Sequence, residues 1–87
     1  MIMFSVEFSR KAAKFIESLS KEQSKRVAEA AESLGIEQFP RGAIKLKGEF
    51  GMYRMRVGDY RILYEIYADK NAVLIVNVDK RSRVYDF

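Results

Sequence analysis

The sequence predicts a single α+β domain. An N-terminal strand leads into a two-helix hairpin and then a largely antiparallel four-strand meander, with the helices packed on one sheet face, in the order β-α-α-β-β-β-β. Three observations predict it. Apolar residues recur at helical spacing between Ala12 and Leu34, the apolar period changes to two from Ile44 onward, and Gly58-Asp59 separates two alternating runs. A strand, a helical segment and then a run of strands is the signature of helices segregated to one side of an antiparallel sheet. Eighty-seven residues hold one core and little else, so residues 1–87 are read as one domain.

Taken in order, Met3 to Glu7 reads as a short strand. Ser9 stands where a helix N-cap stands, and Ala12, Phe15, Ile16 and Leu19 follow as an apolar stripe. Ser20 with Gln23 three residues on matches a capping box, and Val27, Ala30, Ala31 and Leu34 form the next stripe, with Gly35 as its stop. The two helices therefore join with almost no loop. Phe39-Pro40-Arg41-Gly42 is a turn. Met52 to Val57 alternates, with Tyr53, Met55 and Val57 on one face and Met52, Arg54 and Arg56 on the other. Gly58-Asp59 is a two-residue hairpin loop, and Tyr60 to Tyr67 returns with Ile62, Tyr64 and Ile66 on one face. Ala68 to Asn71 is a turn, Ala72 to Val78 an apolar strand, and residues 79–87 a charged tail with aromatic ends.

Composition narrows the chemistry. Apolar residues are 48% and charged residues 32%, as in globular domains. The chain has no Cys, so disulfides, thiolate metal sites and a Cys nucleophile are excluded. It has no His, which removes the commonest general base and zinc ligand. Any catalysis falls to Lys, Arg, Tyr or carboxylates. The N-terminal apolar run is interrupted at Glu7, unlike a signal peptide, and no stretch has the length of a membrane span. A cytoplasmic protein is expected. Residues 1–40 balance six Lys/Arg against six Asp/Glu, whereas residues 41–87 carry ten against six and hold the whole net charge of +4. That asymmetry favours an anionic partner, nucleic acid or an acidic protein.

The hairpin register sharpens the point. With Gly58-Asp59 as the loop, Val57 pairs with Tyr60, Arg56 with Arg61 and Met55 with Ile62. Arg56 and Arg61 then lie opposite one another on the outer face, with Arg54 two residues along. Like charges across strands cost a few tenths to about 1 kcal/mol. One reading is a solvated face whose long stems cover apolar surface. The other is an anion site, and the tail favours it: Lys80, Arg81 and Arg83 leave the last strand beside Tyr60–Tyr67, with Tyr85 following. Guanidiniums converging beside a phenol suit a phosphodiester with bases attached. Glu65 on the same outer face is a candidate to hold an Arg in place. Lys45 and Lys47 extend the cationic face or guard an edge strand, and the edge reading is preferred. Lys11, Lys14, Lys21, Lys25 and Arg26 alternate with Glu and read as a plain exposed face.

The run Lys45-Leu46-Lys47-Gly48, then Tyr53 to Tyr64, then Val78-Asp79-Lys80-Arg81-Ser82-Arg83-Val84-Tyr85, resembles the RelE family of the RelE/ParE toxin–antitoxin superfamily. The resemblance covers essentially the whole chain, and the tail resembles the RNA-cutting branch. It implies a toxin held inactive by a RelB-like antitoxin, a small chain with an acidic helical segment covering the basic face. The helix pair or the sheet edge at Lys45–Lys47 would receive it. Freed, such a toxin enters the ribosomal A site and cleaves messenger RNA without metal, the 2′-hydroxyl attacking the adjacent phosphorus and expelling the 5′-oxygen. The resemblance places the family's functional Arg positions on Arg61 and Arg81, its tail Tyr on Tyr85, and its two basic strand positions on Arg54 and Arg56. Those two are lysines in the best-known bacterial members, and archaeal members look closer to this chain. Arg cannot act as an ordinary base. Catalytic roles are therefore expected for Arg61, Arg81 and Tyr85, and RNA or phosphate binding for Arg54, Arg56, Lys80, Arg83, Lys45 and Lys47. The alternatives are a ParE-like inhibitor of DNA gyrase, a branch that generally lacks such a tail, and a non-catalytic member that binds antitoxin or RNA.

Overall fold

The computed structural model describes residues 3–46 and 51–80. Its elements are β1 (Ser5–Phe8), α1 (Arg10–Glu17), α2 (Lys21–Glu32), β2 (Ile44–Lys45), β3 (Met52–Val57), β4 (Tyr60–Tyr67) and β5 (Ala72–Lys80). Among the described residues the strands form one sheet in the order β1-β5-β4-β3-β2. Strands β2 to β5 pair antiparallel with their chain neighbours, and β1 lies parallel to β5 at the far edge. The expected α+β order and helix placement hold. No helix among the described residues is long and apolar enough to cross a membrane.

Each helix begins at the serine the sequence singles out. The Ser9 hydroxyl accepts from the Ala12 N–H at 3.0 Å, and the Ser20 hydroxyl accepts from the Gln23 N–H at 3.2 Å. Each bond satisfies one of the donors a helix start leaves open. The buried faces match the apolar stripes: Ala12 and Ile16 from α1, Val27 and Ala31 from α2, then Leu34, meet Met55, Ile62, Tyr64, Val73, Ile75 and Val78 of the sheet. Phe15, Leu19 and Tyr60 pack against this cluster at its margin.

Strand β1 begins two residues later than expected. The Phe4 N–H is taken by Gly35 O at 2.7 Å, so the chain enters the sheet only at Ser5. That approach requires glycine, because a Cβ on Gly35 would stand 2.6 Å from the Phe4 carbonyl oxygen. At the hairpin, Gly58 has φ 59°, the left-handed value required at the first central position of a type II′ turn.

One feature of β5 has no counterpart in the expected pattern. Leu63 pairs with Asn77 but Tyr64 pairs with Ile75, which leaves Val76 as an extra residue. This bulge reverses the parity of the strand: Ile75 and Val78 both face the core, three residues apart. Ser9 holds it on both sides. Its N–H donates to Ile75 O at 2.9 Å, and its hydroxyl donates to Val76 O at 2.7 Å.

Candidate nucleic-acid interface

Strands β3, β4 and β5 turn one face to the helices, and among the described residues no helix packs on the other. The register on β3 and β4 is the expected one: Val57 opposite Tyr60, Arg56 opposite Arg61, Met55 opposite Ile62. Arg56 is exposed and Arg54 half-buried, both on the parity opposite to buried Met55. Two cationic side chains therefore stand across adjacent strands, with a third one pleat away.

The compensating charge comes from β5. Asp79 pairs with Arg61 on the side away from Arg56. The Arg61 Nε–H donates to Asp79 Oδ1 at 3.1 Å and its Nη2 donates to Oδ2 at 3.3 Å. This two-point contact fixes the plane of the guanidinium as well as its position. The Arg61 side chain is only 13% exposed and that of Asp79 is 37% exposed, so water screens the pair incompletely. The contact depends on the bulge, because without Val76 as an extra residue Asp79 would fall on the helix side. No local pattern in the sequence singles out Asp79. Its position beside Lys80 was visible, but residues 72–76 are all apolar and conceal the parity change.

Glu65, the carboxylate expected to hold an Arg, accepts instead from the Tyr67 hydroxyl. That bond raises the Tyr67 pKa above its usual 10, with smaller contributions from burial and the Glu65 charge. Two other basic positions do not join the Arg face. Lys45 pairs with Tyr53, and Ile44 is the residue opposite Arg54. Lys80 pairs with Tyr60, which packs edge-on against Phe15 on the helix side at 6.1 Å. Strand alternation sends both lysines to the other parity. Lys45 thus follows the edge-strand reading. Arg81, Arg83, Tyr85 and Lys47 lie outside the described residues.

Arg26 gains a place the sequence did not suggest. Its guanidinium lies over the β3–β4 turn, with Cζ and both Nη atoms 3.2 Å from where a Cβ on Gly58 would stand. The hairpin tip is therefore approached by Arg26 from the helix side and carries Arg56 and Arg61 on the open side. Tyr64 is not part of this chemistry. It is fully buried and donates to Gln38 O at 2.8 Å, and burial, with the neighbouring Tyr53, pushes its pKa up to about 12.

Comparison with known proteins agrees with this architecture. The family described as ParE toxin of type II toxin–antitoxin system, parDE, matches residues 4–85. The chain is similar to toxin RelE1 of Methanocaldococcus jannaschii, at 27% identity over 94% of each chain. Among solved structures, it resembles the archaeal RelE–RelB complex from Pyrococcus horikoshii with a TM-score of 0.81 and 30% identity, covering 95% of this chain and 100% of that one. It also resembles the toxin–antitoxin complex RelBE2 of Mycobacterium tuberculosis, with a TM-score of 0.82 and 31% identity over 94% and 95% of the two chains. The helical hairpin, the sheet order and the match along nearly the whole length lead to one conclusion: the chain belongs to the RelE/ParE superfamily and is a RelE-family toxin of a type II toxin–antitoxin system.

Proposed function

We propose that this toxin is a ribosome-dependent messenger RNA endonuclease that cuts the codon exposed in the A site and so stops translation. The observation that carries the proposal is the pairing of Arg56 with Arg61 on the open sheet face, with Arg61 braced by Asp79. A sheet without an external anionic partner gains nothing from placing two cations across strands.

In this reaction the 2′-oxygen of the substrate forms a bond to the adjacent phosphorus. The bond to the 5′-oxygen breaks, leaving a cyclic phosphate and a 5′-hydroxyl. The negative charge that develops on the phosphoryl oxygens is met by Arg61, which Asp79 holds in place, and by Arg81; electrostatic stabilisation of this kind contributes several kcal/mol where water is excluded. Arg54 and Arg56 orient the scissile phosphate. Tyr85 stacks on a base or moves a proton. No step requires a metal or cofactor. Arg83 adds nonspecific attraction to the RNA backbone.

The solved relatives are toxin–antitoxin complexes of RelE with RelB, and on that likeness the partner of this chain is a RelB-like antitoxin. The test adds purified toxin to ribosomes stalled on a defined message with an empty A site and maps new ends by primer extension. Ends at the A-site codon that appear only with ribosomes, and vanish with Arg81→Ala or Arg61→Ala, are the expected result. Full cleavage by both variants would remove the assigned roles. Absence of cleavage by the wild-type protein would favour a gyrase-directed toxin, the reading suggested by the ParE family match, and a supercoiling assay decides it.

A further inference from the structure

The bulge at Val76 turns Asn77, like Asp79, toward the open sheet face, and what it places there is not accounted for by the Arg–Asp contact. Asn77 stands opposite Leu63, which in turn stands opposite Arg54. This row lies one pleat, about 7 Å, from the row of Arg56, Arg61 and Asp79. The Arg61, Asp79, Glu65 and Tyr67 side chains are all engaged in polar contacts. Asn77 is half-buried, and its side-chain amide makes no hydrogen bond among the described residues. Two hydrogen bonds from Ser9 hold the bulge that aims it. A bulge beside a binding site is a recurrent means of re-aiming one side chain.

We infer that Leu63 and Asn77 form a nucleobase subsite selective for adenine. The inference rests on the RNA-directed reading above. A nucleotide whose phosphate sits on Arg56 and Arg61 has the reach to lay its base on Leu63, an apolar platform, with the base edge against the Asn77 amide. An amide offers one donor and one acceptor side by side. The subsite takes the base by its Hoogsteen edge, where adenine matches the amide with its N6 donor and N7 acceptor, and bidentate pairing of Asn with adenine in this way is a recurrent recognition geometry. On that edge guanine presents two acceptors, O6 and N7, and the pyrimidines present one polar group, N4 or O4, and a smaller stacking surface.

The test titrates the purified toxin with four single-stranded 2′-deoxy tetranucleotides, one for each base, which cannot be cut by 2′-attack. Binding is followed by fluorescence anisotropy, and the Asn77 side-chain amide by its NMR resonances. Tetradeoxyadenylate is expected to bind at least about fivefold more tightly than the others and to shift those resonances. Asn77→Leu should level the four affinities, and Asn77→Asp, which only accepts, should move the preference toward cytosine and its N4 donor. Retention of the adenine preference in Asn77→Leu, or equal or undetectable binding of all four by the wild-type protein, overturns the subsite. Messages differing only in the A-site codon separate the two proposals. Cleavage whose codon preference is unchanged in Asn77→Leu removes the subsite and leaves the nuclease. Base-selective binding without cleavage of any message removes the nuclease and leaves the subsite.

Discussion

Replacing Ser9 by Ala removes one oxygen that serves two elements. The hydroxyl accepts from the Ala12 N–H, capping α1, and donates to Val76 O, holding the bulge in β5. Loss of an N-cap costs about 1 kcal/mol. Loss of the second bond, which leaves a partly buried carbonyl without that donor, costs about another 1 kcal/mol. The sum of about 2 kcal/mol is a large part of the stability of so short a domain. For a domain of this size it corresponds to a fall in Tm of roughly 8–15 °C. Thermal unfolding followed by circular dichroism measures it. Ser9→Asp separates the two contributions, because a carboxylate still caps the helix but cannot donate to Val76, so it should recover about half of the loss. The bulge also sets the parity of Asp79, so the Nε–H resonance of Arg61 should broaden or move in Ser9→Ala. A loss below about 0.5 kcal/mol with an unchanged Arg61 resonance would show that the bulge holds itself without Ser9, and the account of how Asp79 reaches Arg61 would fall.

Three other outcomes follow from named contacts. Arg56→Glu places opposite charges across β3 and β4, so urea unfolding should show stability unchanged or raised by up to about 1 kcal/mol, while primer extension shows cleavage lost; equal loss of both would mean that Arg56 is a structural residue. Tyr64→Phe removes the donor to Gln38 O and should cost about 1 kcal/mol near neutral pH. Because the folded pKa of Tyr64 lies at about 12, above the unfolded value of 10, the unfolded state loses its proton first. Stability should therefore fall as pH rises from 10 to 12, by on the order of 2 kcal/mol, and Tyr64→Phe should lack this part of the fall; identical alkaline profiles would contradict it. Gly35→Ala sets a Cβ 2.6 Å from the Phe4 carbonyl oxygen and should destabilise by roughly 1–3 kcal/mol, read as a lowered urea midpoint; an unchanged midpoint would mean that β1 shifts freely.

Much of the fold is local in origin and therefore visible in the chain. Ser9 and Ser20 mark helix starts because a capping oxygen bonds within three residues of itself. Gly58-Asp59 sets the β3–β4 register because a two-residue loop leaves one pairing, and the opposition of Arg56 and Arg61 follows from that loop alone. The resemblance of residues 45–64 and 78–85 to RelE toxins is likewise a property of the sequence, and it agrees with the family match and the solved relatives.

What the tertiary structure decided is the far side of the candidate site. Glu65, expected to brace an Arg, bonds Tyr67 instead, and among the described residues Asp79 braces Arg61. Lys45 on β2 and Lys80 on β5 both fall, by alternation, on the face opposite the Arg pair. For Asp79 and Lys80 the cause is parity on β5. A run from Ala72 to Val76 with no polar residue carries no period-two signal, so an extra residue within it leaves no trace in composition or spacing. The bulge is held by Ser9, 67 residues earlier, through a bond that forms only when β1 and α1 have folded against β5. Sequence determined the fold class, the helix starts, the hairpin and the cationic pair, because each depends on neighbours in the chain. The orientation of Asn77, Asp79 and Lys80 depends on one long-range hydrogen-bonded serine, and only the assembled sheet could decide it.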